Sequence, residues 1–225
     1  MTALALRSVA ALLLAAATLA QAAEQSREVE TSTVPKEQLP PAPGATHDLR
    51  LSLYTFEGTR WQTPQTVVAV LDAARVLGQC GVALIAVGSR RLEAPRRFHF
   101  YSTPVSRELL RGMAVAKPAI FFVEDTLNNP AYDAEAIGLG NSATRRELAN
   151  TVWVAHGARD LPLALAHELV HLLSDSGAHS DEPGNLMRAE TSPQNTRLSD
   201  AQCGRLRTHG ETNGLLARRA ESAGR

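Results

Sequence analysis

HELVHLLSDSGAHSDEPGNLM, residues 167–187, gathers His167, His171 and His179, the carboxylates Glu168, Asp175, Asp181 and Glu182, and Met187 into one short stretch. Just before it, ARDLPLALA repeats apolar residues at helical spacing, with Asp160 available as N-cap and Pro162 in the first turn. The stretch therefore begins on a helix. On a helix, His167 and His171 stand four residues apart and share one face, a spacing able to bite a single ion. Glu168 projects toward the same open side without needing to ligate. Zinc held by neutral imidazoles at about 2.0–2.1 Å keeps one position for water and lowers the pKa of that water toward about 7. Glu168 can then take the proton. The remaining positions of the helix are apolar, and histidines and a glutamate buried there would cost several kcal/mol unless coordinated or paired.

A catalytic zinc site wants a third protein ligand, and three residues are candidates. Asp175 continues the four-residue spacing but lies another helical turn along, about 6 Å farther on the axis. His179 is better placed: Ser174, Asp175, Ser176 and Gly177 are turn formers, and a positive φ at Gly177 would end the helix and swing His179 back under the ion. Glu190 follows His171 with eighteen residues between and would need a second helix to return it, a route that Gly177, Pro183 and Gly184 interrupt.

In this order of parts the chain resembles the metzincin clan of zinc metallopeptidases. The signature is His-Glu-x-x-His on a helix, a glycine ending that helix, a third histidine beyond it, and a methionine in a tight turn below the metal. His167, Glu168, His171, Gly177, His179 and Met187 correspond in sequence. Two features depart from the clan: Ser174 stands where the glycine usually sits, with Gly177 and His179 displaced as by a two-residue insertion, and Ala189 replaces a tyrosine common after the methionine. The resemblance implies one catalytic Zn2+ held by His167, His171 and His179, Glu168 as general base, Met187 as a structural turn residue, and an extended peptide lying along an edge strand. The Glu190 spacing resembles instead the gluzincin aminopeptidases.

Outward from this stretch, residues 1–22 carry Arg7, an apolar run from Val9 to Ala20 and small residues at Ala20 and Ala22, the pattern of a secretory signal peptide, too short to span a bilayer. Residues 23–48, polar and proline-bearing without an apolar period, read as a disordered leader. Residues 49–213 read as one catalytic domain, and 214–225 as a frayed tail. Thr63 as N-cap with Pro64 opens a helix through Leu77; Val82 to Gly88 and Ala119 to Asp125 are buried strands, with a weaker one around Phe98 to Tyr101. AIGLG and NTVWVA are two more strand candidates, separated by a helical NSATRRELA. Ser199 caps a terminal helix.

Charge is balanced, 23 basic against 23 acidic residues, which argues against nucleic acid or an anionic membrane surface as a partner. The two cysteines, Cys80 and Cys203, are expected to form a disulfide, given an oxidising compartment. The expected fold is α+β in one domain: a twisted mixed sheet packed on two long helices, plus a C-terminal helix. The expected function is an exported, periplasmic or secreted, zinc-dependent endopeptidase acting on peptide or protein through a zinc-bound water activated by Glu168. After signal removal no stable membrane insertion is expected, and oligomeric state is not legible. The alternatives are a gluzincin-type aminopeptidase with Glu190 as third ligand, or a non-catalytic exported zinc-binding protein, against which Glu168 argues.

Overall fold

The computed structural model describes residues 26–126, 136–139 (backbone only) and 146–220. The signal-peptide assignment for residues 1–22 lies outside these residues, as do residues 221–225.

Among the described residues, four strands run parallel at the centre of a seven-stranded sheet: β2 (His47–Phe56), β3 (Val82–Glu93), β5 (Ala119–Val123) and β8 (Thr151–Ala155). The sheet is mixed because its margins are antiparallel. β1 (Arg27–Thr33) flanks β3, β7 (Ala136–Leu139) flanks β8, and β9 (Leu216–Arg218) pairs with the first residues of β2. A separate pair, β4 (Phe100–Tyr101) and β6 (Asp125–Thr126), lies outside the main sheet. The helices are α1 (Thr63–Leu77), α2 (Thr103–Arg111), α3 (Leu161–Ser174) and α4 (Asp200–Thr212). This is the expected α+β domain, with α1 and α3 as the two long helices and α4 as the C-terminal one.

Successive residues of a strand point to opposite faces, and this sorts the apolar side chains into two cores. Leu49, Leu51, Leu53, Ile120, Phe122, Val152 and Val154 face α1, α3 and α4. Tyr54, Phe56, Phe121 and Trp153 face the other way, with Leu109 and Leu110 of α2. Every residue of β5 and β8 is buried, which explains their unbroken apolar runs. On the second face Tyr54, Phe121 and Trp153 are register partners on adjacent strands, their rings stacked at 4.7 and 4.3 Å between centroids.

Several expectations are corrected. The supposed leader contains β1, whose residues are all exposed, so no apolar period marks it. Its ladder with β3 is accompanied by the ion pairs Arg27–Glu93, Glu28–Arg90 and Glu30–Arg91. The tail is not frayed through Arg218, because β9 pairs with β2 and buries Leu215 and Leu216. β2, the central strand, was not anticipated, although Leu49, Leu51 and Leu53 alternate with Asp48, Arg50 and Ser52. α2 was also unforeseen, and the strand expected near Phe98 shrinks to Phe100–Tyr101 after a 3-10 turn at Arg96–His99. Where NSATRRELA is described, at residues 146–149, it forms turns rather than helix. At α1 the N-cap is Gln62, one residue before Thr63.

The cysteines meet as expected. Cys80, just after α1, and Cys203, on α4, form a disulfide with Cα atoms 4.8 Å apart.

Candidate metal centre

α3 buries nearly every residue from Ala164 to Ser174, as an almost wholly apolar helix must. Asp160 is the N-cap residue, left-handed at φ 49°, and makes no side-chain cap bond; Pro162 sits in the first turn. At the other end the amide of Asp175 donates to the Leu172 carbonyl and that of Ser176 to the His171 carbonyl, a Schellman closure with Asp175 left-handed at φ 47°. The helix is therefore ended by Asp175. Gly177, expected to supply the positive φ, does not adopt one, because an aspartate tolerates the left-handed region and the reversal is complete two residues earlier.

The chain then loops back beneath α3. The Ser180 amide donates to the Met187 carbonyl at 2.7 Å, the Leu186 amide to the Arg197 carbonyl at 2.7 Å, and the Thr196 and Arg197 amides to the Gly184 carbonyl. Gly184 needs its positive φ of 76°, and a Cβ there would lie 2.8 Å from Arg197 Nη2. Leu186 and Met187 are buried in the first core.

This path carries His179 to the other two imidazoles. His171 Nε2 lies 2.9 Å from His167 Nε2 and 3.2 Å from His179 Nε2. The opposite nitrogens are spoken for: His167 Nδ1 donates to the Leu186 carbonyl at 2.8 Å and His171 Nδ1 to the Ser176 carbonyl at 2.6 Å. A carbonyl oxygen only accepts, so both Nδ1 atoms carry the proton and both Nε2 atoms present lone pairs. Lone pairs converging at these distances repel unless a cation lies among them, and one shared proton can serve only one pair. The ligand atoms all lie within 4.8 Å of one another, so one metal ion can touch all three histidines.

Electrostatics favour the neutral, ligating form. Burial lowers the pKa of His167 to about 4, with His171 and His179 acting in the same direction against the Leu186 hydrogen bond. Burial likewise lowers that of His171, helped by His179.

The structural comparison agrees with this architecture. The chain is similar to metalloproteinase-II from Bacteroides fragilis, with a TM-score of 0.52 at 21% identity, over 78% of this chain and 57% of that one. It thus spans less than two thirds of that protein's length, and at this identity the likeness establishes a shared fold. No protein-family description and no curated protein matches the sequence.

Among the described residues, the group that brings three ligand atoms together is His167, His171 and His179; Asp175 and Glu190 do not belong to it. Both are exposed, and the Glu190 carbonyl accepts from Asn195 Nδ2. Glu168 is half-buried beside His167 on α3. His156 stacks edge-on against Trp61, and His47 lies against Thr46 and Glu211, so neither joins the centre. Sequence reasoning missed the main-chain carbonyls of Leu186 and Ser176, which orient two of the rings. No residue type could have signalled them, since every residue carries a carbonyl.

Proposed function

We propose that this chain is an exported zinc-dependent endopeptidase, with His167, His171 and His179 as metal ligands and Glu168 as general base. The convergence of three imidazole nitrogens, two of them with their outer N–H groups spent on carbonyls, carries the reading. Nitrogen donors about 2.0–2.1 Å from a tetrahedral ion stand about 3.3 Å apart, close to the 2.9 and 3.2 Å found here. When bound, zinc would act as a Lewis acid toward the scissile carbonyl and lower the pKa of the attacking water.

The chain's own groups account for the rest. Burial opposes protonation of His167 and His171 and so keeps those two imidazoles neutral, and exposed His179 leaves that side of the cluster open to substrate. The Glu168 carboxylate takes the proton from the attacking water and returns it to the departing amine nitrogen. No side chain forms a covalent bond to the substrate. β7, antiparallel at the margin of the sheet, offers an edge for the main chain of an extended peptide. Export is supported by the apolar run at residues 9–20 and by the Cys80–Cys203 disulfide, which belongs to an oxidising compartment.

The deciding experiment pairs zinc analysis with hydrolysis of a peptide library by the wild type and Glu168→Gln. One zinc in each, with cleavage only by the wild type, supports the endopeptidase. Zinc bound by both without cleavage by either would leave a zinc-binding protein. Cleavage confined to free amino termini would point to an aminopeptidase.

A further inference from the structure

We infer that Asn185 and Gln202 form a positioning clamp that sets the affinity of the metal centre from behind the Met187 turn, an inference that rests on the metal-dependent reading above. The Leu186 carbonyl that holds His167 and the Met187 amide are the two ends of one planar peptide unit. His167 Nδ1 donates to the first end at 2.8 Å; the second end donates to Asn185 Oδ1 at 2.9 Å. The plane is therefore gripped from both sides, and rotating it would misaim the carbonyl that orients the ligand.

Asn185 is itself fixed. It is 3% exposed, and its amide meets that of Gln202 reciprocally: Asn185 Nδ2 donates to Gln202 Oε1 at 3.0 Å, and Gln202 Nε2 donates to Asn185 Oδ1 at 3.1 Å. Asn185 Nδ2 also donates to Glu182 at 3.4 Å. With two bonds accepted and two donated, the Asn185 side chain has its hydrogen-bonding capacity filled. Gln202 is held in turn by the start of α4, where its Oε1 accepts from the Ser199 main-chain N–H at 2.8 Å and its own main-chain N–H donates to Ser199 Oγ. The next residue, Cys203, is bonded to Cys80 at the end of α1. One chain of contacts thus runs from a covalently fastened helix to the ring of a metal ligand. Outer partners of this kind commonly alter metal affinity by about 10–100-fold.

The test is zinc affinity of the full chain, measured by chelator competition, alongside the melting temperature of the metal-free protein. Asn185→Ala and Gln202→Leu are expected to raise the zinc Kd about tenfold, and Gln202→Glu, which sets a carboxylate oxygen against Asn185 Oδ1 in place of the Nε2 donor, by at least as much. Leu110→Ala, in the second core, serves as a destabilised control and is expected to bind zinc as the wild type does. Unchanged affinity in Asn185→Ala, or an equal loss in Leu110→Ala, overturns the clamp. Should Asn185→Ala not fold, Gln202→Leu and Gln202→Glu carry the same comparison. A wild type that binds no zinc defeats the metallopeptidase reading, and the clamp with it; zinc binding that ignores these substitutions defeats the clamp alone.

Discussion

His167 Nδ1 lies 2.8 Å from the carbonyl oxygen of Leu186, nineteen residues farther along the chain, and this bond joins the histidine-bearing helix α3 to the turn beneath it. It decides which ring nitrogen turns toward His171. It also makes the loop between them part of the candidate metal centre.

The proposed ligand set predicts how metal content responds to substitution. His179→Ala should lose most of the bound metal under mild chelation, whereas Glu190→Ala and Asp175→Asn should retain a full equivalent. Elemental analysis after dialysis checks this, and metal loss in Glu190→Ala would refute the three-histidine assignment.

The metal-free protein should weaken in mild acid because of His167. Its folded pKa, about 4, lies below the ordinary value of 6.5, so between these values the unfolded chain binds a proton that the folded chain refuses. Stability is then complete above about pH 6.5 and declines as pH falls toward 4, by on the order of 2 kcal/mol between pH 7 and pH 5. Urea titrations of chelator-treated wild type and His167→Gln at both pH values isolate the effect. An identical pH dependence in the two proteins would rule it out.

The two glycines near the site should behave differently. Gly177 has an ordinary φ and open space where a Cβ would point, so Gly177→Ala should be near neutral. Gly184→Ala combines a left-handed φ with a close approach to Arg197 and should destabilise by about 1–3 kcal/mol. Thermal melts of both variants decide it, and equal melting temperatures would contradict the turn geometry.

Removing the Cys80–Cys203 bond, which spans 123 residues, should lower stability by roughly 2–5 kcal/mol. The double variant Cys80→Ala/Cys203→Ala, compared with the wild type by urea unfolding, measures the loss. A negligible change would mean that packing of α4 suffices without the bond.

Truncation after Asn213 should destabilise as well, since it removes β9 and the buried Leu215 and Leu216. At roughly 1.5–3 kcal/mol per buried leucine, a loss of about 3 kcal/mol or more is expected. A truncated protein as stable as the full chain would restore the picture of a frayed tail.

What was legible followed from local patterns. The apolar period and Pro162 marked α3, Ser199 marked α4, and the unbroken runs marked β5 and β8. β1 and β9 left no such trace, since β1 is wholly exposed and β9 exposes two of its three residues, and both owe their place to neighbours distant in sequence. The end of α3 was misread for another reason. A glycine is the usual left-handed residue, and nothing local told Gly177 from Asp175.

The sequence by itself determined that His167 and His171 share a helical face with Glu168 beside them, because a four-residue separation and a 3.6-residue turn leave little freedom. It also narrowed the third ligand to His179, Asp175 or Glu190. Tertiary structure brings His179, and not Asp175 or Glu190, into the cluster, with His179 Nε2 3.2 Å from His171 Nε2, and it sets the ring tautomers through the Leu186 and Ser176 carbonyls. Those outcomes depend on how a loop returns under a helix and which main-chain groups it offers there, and that is settled by contacts across many residues.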